Sequence, residues 1–129
     1  MSASVHVAVI DDDAPVRTAL ARLLSAAGFQ VSVFGSAEEF LGRLHDVEPT
    51  CLLLDLHLPR LDGLELDRVM RHLARRVPIV FITADSELAS SDTIRQRGVA
   101  CLLKPFDDRQ LLDAIEHAVQ SHQTRARAR

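Results

Sequence analysis

Short, nearly continuous apolar runs alternate along the chain with segments in which the apolar residues recur at helical spacing. Runs such as CLLLD and PIVFIT are typical of strands that are buried on both faces of a sheet. The segments between the runs place apolar residues three and four positions apart, which predicts helices with one buried face. The predicted strands are residues 5–10, 30–34, 51–55, 78–83 and 99–103.

Local signals predict where several helices begin and end. Asp13, Ser36 and Asp107 are predicted N-caps of the first, second and last helices, and Ser36 has capping-box spacing to a glutamate. Gly28 is predicted to end the first helix. The segment SELASSDTIRQRG contains only two large apolar residues, so we expect a weakly anchored, mobile helix there.

The alternation of strands and helices predicts an α/β fold. Five parallel strands with helices on both faces would form a doubly wound, flavodoxin-like (βα)5 three-layer sandwich with strand order 2-1-3-4-5. Folds of this type bind ligands at the carboxyl ends of the strands, next to the switch point between strands one and three. The residues that end the strands are therefore the first candidates for function.

Length and charge limit the classes of function. The 129 residues, of which 47% are hydrophobic, suit one domain, which we place at residues 1–121. The formal net charge is −3, but without the three arginines of the last ten residues it is −6, with 12 basic against 18 acidic residues. An acidic body argues against direct nucleic-acid binding. Residues 122–129 are predicted to be a disordered basic tail.

The two cysteines predict a reducing environment. Cys51 and Cys101 are fifty residues apart in apolar runs, without the CxxC spacing of zinc or redox sites, so both are expected to be buried thiols. The N-terminal segment lacks the basic region of a signal peptide, and no stretch is apolar over the ~18 residues of a membrane span. We therefore expect a cytoplasmic protein without a membrane partner.

The strand ends carry polar groups that suit a metal site. Strand one ends in three aspartates at 11–13, strand three in Asp55, strand four in Thr83 and strand five in Lys104. Carboxylates that meet at one edge of a sheet repel each other, which raises their pKa values unless a cation is present. Oxygen ligands without cysteine or paired histidines indicate a hard ion, and Mg²⁺ is the expected one.

The same groups suit phosphoryl transfer. A carboxylate beside Mg²⁺, faced by a threonine hydroxyl and an ammonium, can accept a phosphoryl group as an acyl phosphate. Lys104 is the only lysine among the fifteen Lys and Arg residues. A flexible ammonium can pair with Asp55 at rest and then turn to a phosphate oxygen, whereas a guanidinium is wider.

Four motifs in this order resemble the receiver domain of bacterial two-component response regulators: VIDDDAPVR, LLLDLHLPRLDG, FIT and LLKPF. The resemblance extends from residue 5 to about residue 121, and the spacing is most similar to that of FixJ-type members with their CheY-like fold. It implies that Asp55 is the phosphoacceptor and that Mg²⁺ is the cofactor. The other implied roles are metal ligation by Asp11, Asp12, Asp55 and the His57 backbone carbonyl, switching and phosphate sensing by Thr83 and Lys104, and shaping of the loops by Pro59, Gly63 and Pro105, with a cis bond before Pro105.

Three positions are expected to affect the lifetime of the acyl phosphate or the way in which the signal is transmitted. In receivers, the positions of His57 and Asp85 flank the path of the water that hydrolyses the acyl phosphate, so these residues are candidates for tuning its lifetime. Cys101 stands where receivers usually carry a switch aromatic. A thiol is too small to expose a large surface, so we expect residues 84–98 or Phe106 to transmit the signal instead.

The resemblance implies a signalling switch and not a turnover enzyme. Its phosphodonor partner would be a sensor histidine kinase or a histidine phosphotransfer protein. No output domain is found in the sequence, so we expect phosphorylation to change the binding of another, unidentified protein. A homodimer is left open.

Two other classes of protein share part of this arrangement of residues. A haloacid-dehalogenase-like phosphatase also uses an aspartyl nucleophile, Mg²⁺ and lysine, but it needs a second aspartate at the position of His57. A flavodoxin-like FMN-binding module needs a phosphate loop of amides and hydroxyls after strand one, where the three aspartates would repel phosphate.

Overall fold

The strands form one parallel sheet in the order predicted from the sequence. A computed structural model describes residues 5–97 and 100–127, with side chains up to residue 122. Within this part of the chain the strand order is β2-β1-β3-β4-β5, and every neighbouring pair is parallel. The flavodoxin-like α/β fold is confirmed. The strands are β1 His6–Ile10, β2 Gln30–Phe34, β3 Cys51–Asp55, β4 Ile79–Thr83 and β5 Ala100–Leu103.

Helices cover both faces of the sheet, which gives the three predicted layers. Alternate residues of the central strands enter two separate apolar clusters, one on each face. Leu52 and Leu54 of β3 pack toward Phe40 and Leu66, whereas Leu53 packs on the opposite face. The helices are α1 Ala14–Ala26, α2 Ala37–Gly42, α3 Gly63–His72, α4 Ser86–Ala89, α5 Asp92–Arg97 and α6 Asp108–Arg127.

The predicted N-caps are confirmed. The Asp13 and Asp107 carboxylates accept hydrogen bonds from backbone N–H groups in the first turns of α1 and α6. The Ser36 hydroxyl accepts from the Glu39 N–H at 3.0 Å, but the Glu39 carboxylate accepts from Gly35. Only half of a capping box is therefore formed at α2.

The weakly anchored fourth segment forms two short helices and not the single helix expected. The Ser91 hydroxyl donates to the Leu88 carbonyl at 2.8 Å and accepts from the Ile94 N–H, so it closes α4 and opens α5. Such serine bonds compete with a continuous helical ladder. The mobility of the segment stays a prediction, and residues 98 and 99 lie outside the described residues.

The last helix is longer than the sequence indicated. We expected a disordered tail from residue 122, but α6 continues to Arg127, and residues 128 and 129 lie outside the described residues. Alanine, arginine and glutamine are good helix formers, and no glycine or proline interrupts this end of the chain. None of the helices in the described part of the chain is both long and apolar enough to cross a membrane.

Candidate functional site

The sheet brings the predicted aspartates together at its carboxyl edge. β1 pairs with β3, with Ile10 opposite Leu54, so the residues that follow these positions lie side by side. Carboxylate oxygens of Asp11, Asp12 and Asp55 lie within 4.8 Å of one another. Asp11 and Asp55 are buried and Asp12 is exposed. The cluster is therefore an all-oxygen acidic pocket that is open to solvent on one side.

Lys104 bridges the two buried carboxylates. Its Nζ lies 3.2 Å from Asp11 Oδ2 and 3.2 Å from Asp55 Oδ2. The pairing with Asp55 was predicted, and the pairing with Asp11 was not. Burial alone would lower the pKa of Lys104, but the two carboxylates outweigh it and raise the pKa. The side chain therefore stays an ammonium.

Burial dominates the electrostatics of Asp11. Its pKa is raised chiefly by burial, and the charge of Asp55 raises it further. The pKa is lowered by the Asp13 N–H, which donates to Asp11 Oδ1 at 2.9 Å, and by the Lys104 ammonium. Repulsion between the carboxylates was the cause expected from the sequence, and here it is the smaller of the two raising effects.

The Asp55 carboxylate is held in place from both sides. Oδ1 accepts a hydrogen bond from the His57 N–H at 2.8 Å, and Oδ2 faces Lys104. Each oxygen thus has one protein donor and keeps lone-pair capacity for another partner. The predicted metal ligation by the His57 carbonyl stays a prediction.

The loop after β3 returns so closely to the strand that it requires glycine at one position. A Cβ on Gly63 would lie 2.6 Å from the Asp55 carbonyl oxygen and 2.9 Å from Leu56 Cα. Gly63 is the first residue of α3, so its small size sets the approach of that helix to the site. The Lys104–Pro105 peptide is cis, as the resemblance implies. The role of Pro59 stays a prediction.

Thr83 and Asp85 are linked to each other at the end of β4. Thr83 is fully buried, and its Oγ1 accepts a hydrogen bond from the Asp85 N–H at 3.0 Å. The Asp85 carboxylate accepts from the N–H groups of Glu87 and Leu88, so it is the N-cap of α4. This capping contact was not predicted. It holds the Asp85 carboxylate in one position relative to the site.

Both cysteines are free thiols. Cys51 is fully buried, and burial raises its pKa to about 12. Cys101 is half-buried, and burial raises the pKa of its thiol as well. It lies opposite Phe81 in the β4–β5 register and packs against the cluster that contains Ile94 of α5. That residues 84–98 or Phe106 transmit the signal in its place stays a prediction.

A further contact at the site was not predicted from the sequence. Arg17 of α1 donates from Nη1 to the backbone carbonyl of Asp11 at 2.7 Å. The apolar pattern of α1 predicts which face is buried, but it carries no signal for a polar side chain that folds back onto the preceding loop.

Residues 7–116 match the response regulator receiver domain. The chain belongs to this family, and it is therefore a phosphorylatable signalling switch of two-component systems and not a turnover enzyme. The family implies a histidine kinase as partner. Membership of the family also argues against a haloacid-dehalogenase-like phosphatase and a flavodoxin-like FMN-binding module.

Curated relatives and solved structures agree with this assignment. The chain is 34% identical to the transcriptional regulatory protein FixJ and 35% identical to nodulation protein W, both of Bradyrhizobium diazoefficiens. These matches cover 99% and 98% of this chain but only 63% and 56% of the two relatives. A crystal structure of full-length FixJ from B. japonicum has a TM-score of 0.86 at 35% identity, over 98% of this chain and 63% of that one.

Proposed function

We propose that Asp55 accepts the phosphoryl group of a phosphohistidine on a sensor histidine kinase or a phosphotransfer protein. The observation that carries this proposal is the position of the Asp55 carboxylate. It is buried at the end of the central strand, close to two further carboxylates and 3.2 Å from an ammonium. A buried carboxylate in an acidic cluster is costly unless cations compensate its charge.

The chemistry is a direct displacement at phosphorus. A carboxylate oxygen of Asp55 forms a bond to phosphorus while the bond from phosphorus to the histidine nitrogen breaks, and the bonding electron pair leaves with the imidazole. Lys104, which bridges Asp11 and Asp55, would pair with an oxygen of the transferred group. Thr83 supplies a hydroxyl at the same edge of the sheet, which is proposed to turn toward the phosphoryl group.

The donor set fits Mg²⁺. We propose that the carboxylates of Asp11, Asp12 and Asp55 and the backbone carbonyl of His57 hold the ion. The three carboxylates supply only oxygens, and the exposed side of the pocket leaves room for the waters that Mg²⁺ retains. Bound there, the ion would neutralise charge on the phosphoryl oxygens during transfer.

The net charge of the chain and its free cysteines support proposals for the downstream partner and the cellular location. The acidic body does not suit direct nucleic-acid binding, so we propose that the phosphorylated form acts on an unidentified downstream protein, with a homodimer as one arrangement. We further propose residues 1–121 as the receiver unit and a cytoplasmic location. The two free thiols support this location because reducing compartments keep cysteines reduced.

The test of the proposed function is chemical phosphorylation. Incubation with acetyl phosphate and Mg²⁺ is expected to add one phosphoryl group to each chain, measured by intact-protein mass spectrometry. Hydroxylamine should remove the group because it attacks acyl phosphates, and chelation of Mg²⁺ with EDTA should suppress its formation. A label that resists hydroxylamine, or one that forms equally well in EDTA, would contradict the proposal.

The lifetime of the acyl phosphate tests the role proposed for Asp85. Asparagine caps helices as well as aspartate does, so Asp85→Asn removes the charge but keeps the cap of α4. We expect a changed rate of label loss, because a fixed charge near the phosphoryl group alters the approach of water, with Mg²⁺ affinity nearly unchanged. The control is Asp92→Asn, at the exposed start of α5. Decay at the wild-type rate in Asp85→Asn would remove Asp85 from the mechanism.

A further inference from the structure

The side chain of Arg17 folds back from α1 onto the loop that carries the metal ligands. Its Nη1 donates a 2.7 Å hydrogen bond to the backbone carbonyl of Asp11, six residues earlier. Arg17 is partly buried, and its donor carries a full positive charge, so this bond is short and strong for a neutral acceptor. The contact ties the loop between β1 and α1 to the body of the helix.

The neighbouring strand leaves space for this guanidinium. Gly35 follows β2, and a Cβ at Gly35 would lie 3.2 Å from Arg17 Nη1 and 3.6 Å from Arg17 Cζ. The 3.2 Å approach to Nη1 is tighter than most contacts of a Cβ, so the guanidinium would have to shift by a few tenths of an ångström, whereas 3.6 Å from Cζ is an ordinary van der Waals distance. A methyl group added at Gly35 would therefore crowd the Arg17 guanidinium.

The bond acts on the peptide that leads to Asp12. The Asp11 carbonyl belongs to the planar unit that joins Asp11 to Asp12, so fixing its oxygen fixes the direction in which the chain enters Asp12. The Asp11 carboxylate has its own restraints in Lys104 and the Asp13 N–H. Asp12 is exposed, so its carboxylate depends on the backbone for its orientation toward the pocket.

We propose that Arg17 is a positioning residue of the metal site, which holds the Asp11–Asp12 peptide so that the exposed Asp12 carboxylate faces the ion. The proposal rests on the Mg²⁺ site of the proposed function. It adds to the site a residue from outside the carboxylate cluster. It also gives Gly35 a role, because a glycine there leaves room for the guanidinium.

Charge and position predict opposite effects when Arg17 is removed. A cation near the pocket repels Mg²⁺, so a guanidinium that acted only through its charge would weaken binding, and its loss would strengthen binding. A guanidinium that holds a metal ligand in place increases the Mg²⁺ affinity, so removing the guanidinium should lower that affinity. The direction of the change therefore separates the two roles.

The experiment is a Mg²⁺ titration of the unphosphorylated protein, followed by the backbone amide signals of Asp12 and Asp13. Nuclear magnetic resonance is suitable because the chain has no tryptophan or tyrosine to report binding by fluorescence. Arg17→Ala is expected to raise the Kd about tenfold, at the low end for groups that hold metal ligands in place. Arg17→Lys, which keeps a charged donor on a shorter side chain, should restore part of this loss. Arg22→Ala, an exposed arginine on the same helix, is the matched control.

Gly35→Ala provides a second, independent variant that leaves every charge in place. It is expected to weaken Mg²⁺ binding by crowding the guanidinium, and it stands in for Arg17→Ala if that variant does not fold by circular dichroism. Folded Arg17→Ala or Gly35→Ala with wild-type or tighter affinity would overturn the proposal. Failure of the wild-type protein to bind Mg²⁺, or unchanged binding in Asp12→Asn, would instead count against the proposed function itself.

Discussion

Replacing Asp55 with asparagine is expected to reduce the phosphoryl label from acetyl phosphate to background while the protein stays folded. The amide has nearly the shape of the carboxylate, and its oxygen can still accept the hydrogen bond from the His57 N–H. It is not a nucleophile toward phosphorus, so no acyl phosphate can form. The measurement is intact-protein mass spectrometry after a time course with acetyl phosphate and Mg²⁺.

The control for this variant is Asp46→Asn, which makes the same chemical change at an exposed surface ion pair with Arg43. It should be labelled at the wild-type rate. A label in Asp55→Asn that forms as fast as in the wild type would show that another residue accepts the group, and peptide mapping would identify it. Asp11 and Asp12 are the first residues to check, because their oxygens lie closest to the same pocket.

Replacing Gly63 with alanine is expected to damage both stability and phosphorylation. The new methyl group would lie 2.6 Å from the Asp55 carbonyl oxygen and 2.9 Å from Leu56 Cα, so the backbone of β3 and the start of α3 must separate. Overpacking of this kind costs about 1–3 kcal/mol in the free energy of unfolding. The displaced backbone carries the phosphoacceptor, so labelling with acetyl phosphate should also be slower.

Gly42→Ala is the matched control, because a Cβ at Gly42 meets no other atom within 4 Å. Gly42 is the last residue of α2 and does not have a left-handed backbone conformation, so this variant should be about as stable as the wild type. Urea unfolding followed by circular dichroism measures both variants. Equal stability of Gly63→Ala and Gly42→Ala would show that the loop after β3 adapts without cost.

The sequence by itself determined the sheet and the residues at its functional edge. Apolar runs bounded by turn residues predict strands from local information, and the bounds of β2 and β3 agree with the structure residue for residue. Parallel connectivity then requires the strand ends to meet at one edge, so Asp11, Asp12, Asp55, Thr83 and Lys104 could be assigned to one site without coordinates. Family resemblance added roles to these residues.

Only the tertiary structure decided which of these groups touch and how the site is supported. Lys104 and Asp11 are 93 residues apart in sequence, and nothing local indicates that one ammonium bridges Asp11 as well as Asp55. The hydrogen bond from Arg17 to Asp11 was missed for a related reason. It depends on a side-chain direction that the period of apolar residues does not encode. The Asp85 cap is instead a local contact of the same kind as the predicted caps at Asp13 and Asp107, and the local sequence could have indicated it.

The same limit explains why the main cause of the raised pKa of Asp11 was not foreseen. Burial, and not repulsion, is the main cause of the raised pKa of Asp11, because the packed elements around it exclude water to a degree that the sequence does not show. The two boundary differences have local causes instead: serine hydrogen bonds divide the fourth segment into α4 and α5, and helix-forming residues extend α6 into the predicted tail. Local pattern therefore determines which elements form and in what order, whereas contact, desolvation and support arise only when distant segments pack together.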